Sequence, residues 1–115
     1  MIGTYSLSSG YADAFYKKAS NVRTKLKREF DKVFEEVDLL IAPVAPTTAF
    51  KLGEKTNDPV QMYLVDIYTV TANLVGVPSL SVPISKDKNG MPIGMQLIGP
   101  KWSEAMLFAL AQKIQ

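Results

Sequence analysis

The fold is decided by residues 57–100, NDPVQMYLVDIYTVTANLVGVPSLSVPISKDKNGMPIGMQLIGP. Asp58 and Pro59 are typical of a helix start, because an aspartate side chain caps free amide groups and proline suits the first helical position. The apolar residues that follow continue at helical spacing on both sides of one acid, Asp66. Gly76 favours a left-handed helix end and a proline follows it closely, so the stretch predicts two short helices, the first of which runs past Asp66.

Three strands are predicted around these helices. The segments 80–84 and 93–98 alternate or run apolar on either side of KDKNG, whose Asn89-Gly90 pair favours the positive φ angles of a hairpin tip. Upstream, residues 37–42, VDLLIA, form a short apolar run rich in branched side chains. Such a run is typical of a strand buried on both faces, which favours a parallel or mixed sheet.

Two longer helices flank the predicted sheet. Apolar residues recur every three or four positions from residue 11 to residue 37, and Ser103 is placed to cap a final helix from Glu104 onward. The sequence therefore predicts an α/β fold with a mixed sheet of about three strands, a long amphipathic helix and shorter helices. We expect residues 1–115 to form a single unit that is incomplete by itself.

The outer face of the long helix carries basic side chains that two interpretations can explain. One is a phosphate-binding stripe. The other is a solvated face with weak ion pairs, which we favour because acidic residues follow closely at helical spacing. The residues concerned are Lys17, Lys18, Arg23, Lys25, Lys27, Arg28 and Lys32, with Glu29, Asp31, Glu35 and Glu36 among the acids.

Composition excludes several classes of chemistry. The chain has 115 residues, a formal net charge of +2, no Cys and no His, so disulfides, thiolate catalysis and histidine general bases are absent from it. We predict no metal site. No apolar run approaches the roughly 20 residues that span a bilayer, and no targeting segment is recognisable, so a cytoplasmic protein without a membrane anchor is expected.

Four residues are candidates for binding a ligand. Asp66 is an acid in an apolar segment, so it either faces solvent or finds hydrogen-bond donors. Thr47 and Thr48 lie in a proline-rich loop after the first strand, where they could donate to a ligand or bond their own backbone. Asn73 follows in the second short helix, where a structural hydrogen bond is the favoured role.

The chain resembles the carboxy-terminal third of the amidase signature family. Four segments carry the resemblance in order and with matching spacing: GTYSLSSGYADAFYKKASNVR, FDKVFEEVDLLIAPVAPTTAF, LGEKTNDPVQMYLVDIYTVTANLVGVPSLSVPI and NGMPIGMQLIG. The segment NDPVQMYLVDIYT is most similar to one branch of the family, the A subunits of the amidotransferases that act on Glu-tRNA(Gln) and Asp-tRNA(Asn). Thr71 and Ser79 depart from the family, which usually has proline at the first position and glycine or alanine at the second.

The resemblance implies a parent activity and one site residue. Members of this branch hydrolyse glutamine to glutamate and ammonia with a Ser-Ser-Lys centre, and the ammonia passes to a kinase-like partner that uses ATP and Mg. The Gly/Ser-rich signature carrying that centre is not found in this sequence, so no catalytic residue is assigned and the chain alone is expected to be inactive. Asp66 matches the position that pairs with the α-amino group of glutamine. A carboxylate suits an ammonium, because it offers acceptors and negative charge.

Two functions of different classes remain open. The first is part of the glutaminase (A) subunit, with the B and C subunits, the amino-terminal part of the same polypeptide and glutamine as partners, and tRNA only indirectly. The second is a non-catalytic interaction module with the same architecture; a basic helix that binds tRNA is a weaker third possibility. Exposed strand edges also predict self-association of the isolated chain, most simply as a symmetric dimer.

Overall fold

A computed structural model of the chain describes residues 16–54 and 58–114. Its α/β architecture confirms the predicted class, while the predicted start of the long helix near residue 11 lies outside the described residues. In chain order the elements are α1 (Lys17–Glu36), β1 (Leu40–Pro43), α2 (Pro59–Val65), α3 (Thr69–Val75), β2 (Ser79–Lys86), β3 (Pro92–Ile98) and α4 (Glu104–Ile114).

The sheet has the order β1-β3-β2 and differs from the predicted one in how its strands run. Both pairings are antiparallel among the described residues, with Ile41 and Leu80 each opposite Leu97, so the sheet is neither parallel nor mixed. The apolar run of β1 had suggested burial on both faces, yet Ile41 is 61% exposed. Ile41 lies on the same face as Leu97, but no described element covers that face over β1, so apolar content alone overstated its burial.

The predicted hairpin is confirmed, and it contains an irregularity at Pro83. The tip uses a positive φ of 80° at Gly90, as the Asn-Gly pair predicts. Between Pro83 and Ser85 the register of β2 against β3 shifts, so β2 carries a bulge there. Proline has no backbone N–H to give to a ladder, and it is tolerated here because β2 is the other edge of the sheet.

A buried apolar cluster lies on one face of the sheet, and Ala72 and Val75 of α3 and Ile98 of β3 are buried outside it. Val82, Leu97 and Leu107 are at most 2% exposed and pack together, which brings α4 against the sheet. Partly buried side chains from both layers surround them: Leu39, Leu80, Met95, Leu110 and Ala111. Since side chains alternate along a strand, the residues between these in sequence point to the opposite face.

The two short helices meet at Asp66, whereas the sequence predicts that the first helix continues past this residue. The Asp58 side chain accepts from the amides of Val60 and Gln61 and caps α2 as predicted. Helix α2 ends at Val65, and Asp66 takes φ −96° and ψ 3°, which breaks the helix before α3 begins. The N–H of Asp66 bonds back three residues to Tyr63, so the last turn is tightened rather than continued.

Helix α3 ends as the sequence predicts. Gly76 adopts a left-handed φ of 78° and its N–H bonds to the carbonyl of Ala72. A cross-element hydrogen bond ties this helix to α1: the Arg23 Nε donates to the Leu74 carbonyl at 2.6 Å. One of the predicted basic side chains of α1 therefore has a structural partner.

Much apolar surface remains uncovered within the part of the chain described. Helix α1 contains no buried residue, and on α2 and α3 side chains such as Tyr63 and Val70 are 80% and 44% exposed. The radius of gyration is 17.3 Å, against about 13 Å for a compact domain of this length. Helix α1 contacts α3 near Arg23 and Leu74, and much of the remaining apolar surface of these helices is exposed among the described residues.

Candidate functional site

The face of the sheet opposite the core carries a polar patch and two adjoining cavities. Gln96 lies on this face of β3 between Met95 and Leu97, and its direct neighbour on β2 is Ser81. Val44 and Ser81 line both cavities, so the cavities share a wall. We call the space under the proline-rich loop cavity A and the space beneath α3 cavity B.

Cavity A has a volume of about 490 Å³ and contains both predicted threonines in its wall. The loop after β1 forms one side and the hairpin forms the other. Its lining residues are Pro43, Val44, Ala45, Pro46, Thr47, Thr48, Ala49, Ser81, Pro83, Pro92, Ile93 and Gly94. Most of these side chains are apolar, so cavity A offers a ligand mainly apolar contacts and few hydrogen-bond partners.

Thr48 is engaged by the protein itself. Its hydroxyl donates to the Asp87 carboxylate at 2.9 Å, which fastens the proline-rich loop to the tip of the hairpin. The Asp87 carboxylate also accepts from the N–H groups of Asn89 and Met91, at 2.8 and 2.9 Å. The Met91 N–H holds the pKa of the Asp87 carboxyl below its usual range, with smaller contributions from Asn89 and Thr48 and against partial desolvation. Thr48 thus positions the wall of cavity A.

Cavity B has a volume of about 270 Å³ and a lining without charged side chains. It is formed by Val44, Thr69, Ala72, Asn73, Val77, Ser79, Ser81 and Gln96. Gln96 is only 3% exposed, and its Nε2 donates to the Ser79 hydroxyl at 2.6 Å. The other end of the same amide, Oε1, has no hydrogen-bond partner among the described residues. Buried polar groups are normally paired, so we expect the partner of this oxygen to come from outside the described residues.

Asp66 lies outside the walls of both cavities but close to them along the chain. Its side chain is exposed, and no described residue donates to its carboxylate. The Asp66 carbonyl accepts from the Thr69 hydroxyl at 3.2 Å, and Thr69 lines cavity B one helical turn later. On the next turn the Asn73 Nδ2 donates to the Thr69 carbonyl at 3.1 Å, which is the structural bond expected of Asn73. Thr69 and Asn73, which follow Asp66 along the chain, therefore both line cavity B, whereas Asp66 does not.

Sequence reasoning did not propose Gln96 or Ser81. The signal that could have found them was the alternation in β2 and β3, in which Ser79 and Ser81 interrupt apolar residues and Gln96 does the same. That alternation assigns each residue to one of the two faces of the sheet, but it does not show which polar side chains of neighbouring strands contact each other. From the sequence, Ser79 stands out only as a departure from the family.

The described residues contain no other obvious chemical centre. No group of three or more acidic residues, the only ligand types present here, could hold a metal ion within residues 16–54 and 58–114. None of the helices in these ranges is long and apolar enough to cross a membrane. On α1, the Lys32–Glu29 ion pair spans 3.7 Å with both side chains 71% exposed, which is typical of a solvated face.

Comparison with known proteins finds relatives that match almost the whole of this chain. A family model described as Amidase matches residues 1–108. The A subunit of the glutamyl-tRNA(Gln) amidotransferase of Thermosynechococcus vestitus is 60% identical over 111 residues, 96% of this chain and 23% of that protein. In Clostridium acetobutylicum, the second form of the A subunit of this enzyme is 52% identical over 115 residues, the whole of this chain and 24% of that protein.

Solved structures give the same picture. The A subunit of the glutamyl-tRNA(Gln) amidotransferase of Thermotoga maritima superimposes with a TM-score of 0.85 and 42% identity, over 99% of this chain and 25% of that one. An allophanate hydrolase of Kluyveromyces lactis carrying the S177A substitution gives a TM-score of 0.77 and 27% identity, over 97% and 18%. The chain thus spans about a quarter of the length of the curated relatives it matches. Because the family model matches residues 1–108, the chain belongs to the amidase family.

Proposed function

We propose that this chain is the carboxy-terminal segment of the glutaminase (A) subunit of a tRNA-dependent amidotransferase. In this role it forms part of a glutamine-binding region in a larger enzyme that supplies ammonia for converting Glu-tRNA(Gln) to Gln-tRNA(Gln). The observation that supports it most strongly is 52% identity to the A subunit of a glutamyl-tRNA(Gln) amidotransferase over the full 115 residues. The uncovered apolar faces of α1, α2 and α3 fit a chain that is completed by further protein.

Asp66 is the proposed contact for the α-amino group of glutamine. Its carboxylate is exposed and accepts from no described residue, so a ligand ammonium would meet an acceptor that is free to bind. A charge-assisted hydrogen bond of this kind contributes about 1.5–3 kcal/mol. Thr47 and Thr48 are weaker candidates for substrate contact, and the hydroxyl of Thr48 is already donated to Asp87.

The chain alone should not hydrolyse glutamine. It has no His or Cys, and it contains no match to the Gly/Ser-rich signature of the family's Ser-Ser-Lys centre. Without a nucleophile and its base, positioning the substrate cannot replace the covalent step. The proposed partners are the rest of the glutaminase polypeptide and the B and C subunits, with ATP and Mg used in a partner and with a cytoplasmic location.

Complementation tests this proposal. The chain is mixed with the Thermotoga maritima relative from which the matching quarter has been deleted, and glutamine hydrolysis is assayed. We expect activity only in the mixture. Asp66→Ala should lower kcat/KM by about ten- to a hundredfold, mainly through KM, because a ground-state contact is lost.

Asp38→Ala is the matched control, since Asp38 is an exposed acid outside both cavities. It should leave kcat/KM unchanged. Glutamine hydrolysis by the chain alone would contradict the proposal, and so would a mixture in which Asp66→Ala and Asp38→Ala behave alike.

A second candidate is an interaction module without a catalytic parent, which the exposed apolar faces also favour. It predicts tight association with the deleted relative but no turnover. Both candidates predict that the isolated chain self-associates through its uncovered edges and faces. Light scattering after size exclusion checks this expectation, and a monodisperse monomer would contradict it.

A further inference from the structure

We propose that Asn89 is a site of spontaneous deamidation, in which the backbone nitrogen of Gly90 attacks the Asn89 side chain when the tip of the hairpin opens. Asp87, whose hydrogen bonds hold the tip closed, controls the rate of this modification. The inference goes beyond the proposed function, because it concerns the tip of the hairpin and involves neither Asp66 nor a bound substrate.

The first support is the chemistry of the Asn89-Gly90 pair. The Gly90 nitrogen gives up its proton and bonds to the Asn89 Cγ, which closes a succinimide ring. The side-chain nitrogen takes up a proton and leaves as ammonia. Water then opens the ring at either carbonyl, which leaves an aspartate or an isoaspartate. Glycine favours the attack because no Cβ crowds the reacting nitrogen.

The second support is the position of the pair at an exposed hairpin tip. Asn89 and Gly90 are both exposed, so the water needed to open the ring reaches them. Two other asparagines of the described residues, Asn21 and Asn73, lie inside helices, and each precedes a residue with a branched side chain. The Asn73 Nδ2 also donates to a carbonyl of its own helix at 3.1 Å. Among these three asparagines, Asn89 therefore has the most favourable setting for ring closure.

The third support is the hydrogen bonding that holds the closed tip in an unreactive arrangement. The Gly90 N–H, which must lose its proton, donates to the Asp87 carbonyl at 3.0 Å. The Asp87 carboxylate accepts from the N–H groups of Asn89 and Met91 at 2.8 and 2.9 Å. Because these bonds fix the backbone on both sides of the reacting nitrogen, ring closure requires the tip to open. The rate should therefore follow the population of the opened tip.

The modification changes the surroundings of Asp87. Either product carries a new carboxylate two residues from the Asp87 carboxylate, and like charges at short range repel. Isoaspartate also lengthens the main chain within the turn. Since the Thr48 hydroxyl donates to Asp87 at 2.9 Å, a disturbed tip also loosens the loop that lines cavity A.

Incubation of the purified chain in mildly alkaline buffer tests the proposal. A synthetic peptide of residues 86–92, KDKNGMP, is incubated beside it, and peptide mapping by mass spectrometry follows aspartate and isoaspartate at position 89. We expect both products in the chain, formed about ten- to a hundredfold more slowly than in the peptide, because the charge-assisted bonds to Asp87 must first break.

Two results of this comparison would overturn the proposal. If Asn89 stays intact through an incubation long enough for conversion at the slow end of that range, it is not a modification site. If the chain and the peptide react at the same rate, the closed tip does not control the reaction.

Variants locate the reaction and its control. Asp87→Ala removes the carboxylate that accepts from the tip, and it should raise the rate by about tenfold. Asp38→Ala changes an exposed acid elsewhere and should leave the rate unchanged. Asn89→Gln should give no product at this position, because the longer side chain does not form the same ring. Equal rates in the two aspartate variants would contradict control by Asp87, and the comparison with the peptide decides the matter if Asp87→Ala fails to fold.

Discussion

The two faces of the sheet differ in how completely they are closed. On one face Val82 and Leu97 pack against Leu107 of α4 and exclude water. On the other, Ser81 and Gln96 border cavities, and α3 covers only part of the surface. The same strands therefore supply buried packing on one side and a surface with cavities on the other. The alternation of side chains along a strand makes this division possible.

Truncation of the closed face should have the largest effect. Leu97 is fully buried, so Leu97→Ala removes apolar contacts and leaves a cavity, and we expect it to lower the free energy of unfolding by about 2–5 kcal/mol. Urea denaturation measures the change. Leu52→Ala, at a fully exposed leucine, should stay within about 0.5 kcal/mol of the original chain. Similar losses for the two variants would show that the closed face is not the core.

Adding a methyl group on the open face should lower the free energy of unfolding by less than Leu97→Ala does, and it should change the shape of the cavities. A Cβ on Gly94 would lie 2.9 Å from the Val44 Cγ2 and 3.3 Å from the Ser81 Oγ, the two residues that separate cavity A from cavity B. We expect Gly94→Ala to destabilise the chain by about 1–3 kcal/mol, because Val44 must move. Urea denaturation provides the measurement, with Ser85→Ala as a control at an exposed position of the same hairpin. An unchanged midpoint would mean that the wall between the cavities yields easily.

The partial cover of the open face depends on how α3 ends. Gly76→Ala places a Cβ in a left-handed conformation, and we expect a loss of about 1–2 kcal/mol in the free energy of unfolding. Gly76→Asn should lose less, since asparagine tolerates this conformation better. Thermal or urea unfolding ranks the variants. Equal losses for alanine and asparagine would show that backbone conformation is not the cause.

The smallest effect should come from the link between the loop of cavity A and the hairpin. The pKa of Asp87 is lowered in the folded chain from its ordinary value of 3.8. Its carboxylate therefore stabilises the fold at pH values above 3.8. This stabilisation is lost as the pH falls through the lower pKa of the folded chain. Asp87→Asn should therefore be less stable than the original chain at neutral pH, and the difference should vanish in strong acid. The free energy of unfolding, measured from neutral pH into strong acid, tests this expectation, with Asp38→Asn as the control. A difference that grows as the pH falls would contradict it.

The sequence predicted local structure better than it predicted contacts. The apolar spacing of α1, the Asn89-Gly90 tip and the Gly76 helix end depend on neighbours in the chain, and the structure has all three. The break at Asp66 and the exposure of Ile41 depend on what lies across from them. For that reason periodicity did not reveal either feature.

The site divides in the same way. The position of Thr48 in a loop beside the sheet could be predicted, whereas its bond to Asp87 joins residues 39 apart in sequence. Gln96 went unnoticed because a single polar residue in an apolar strand gains meaning only when Ser79 and Asn73 are seen beside it. The role of Asp66 stays a prediction that comes from family resemblance.

The proline in β2 makes the two rims of the sheet unequal. Pro83 cannot donate to a further strand, and the shifted register after it disturbs the spacing of the groups that remain. The rim formed by β1 has a regular register through Leu40, Ile41 and Ala42. The part of β2 beyond Pro83 is therefore a poor template for a further strand, whereas the short edge of β1 stays regular as far as Pro43.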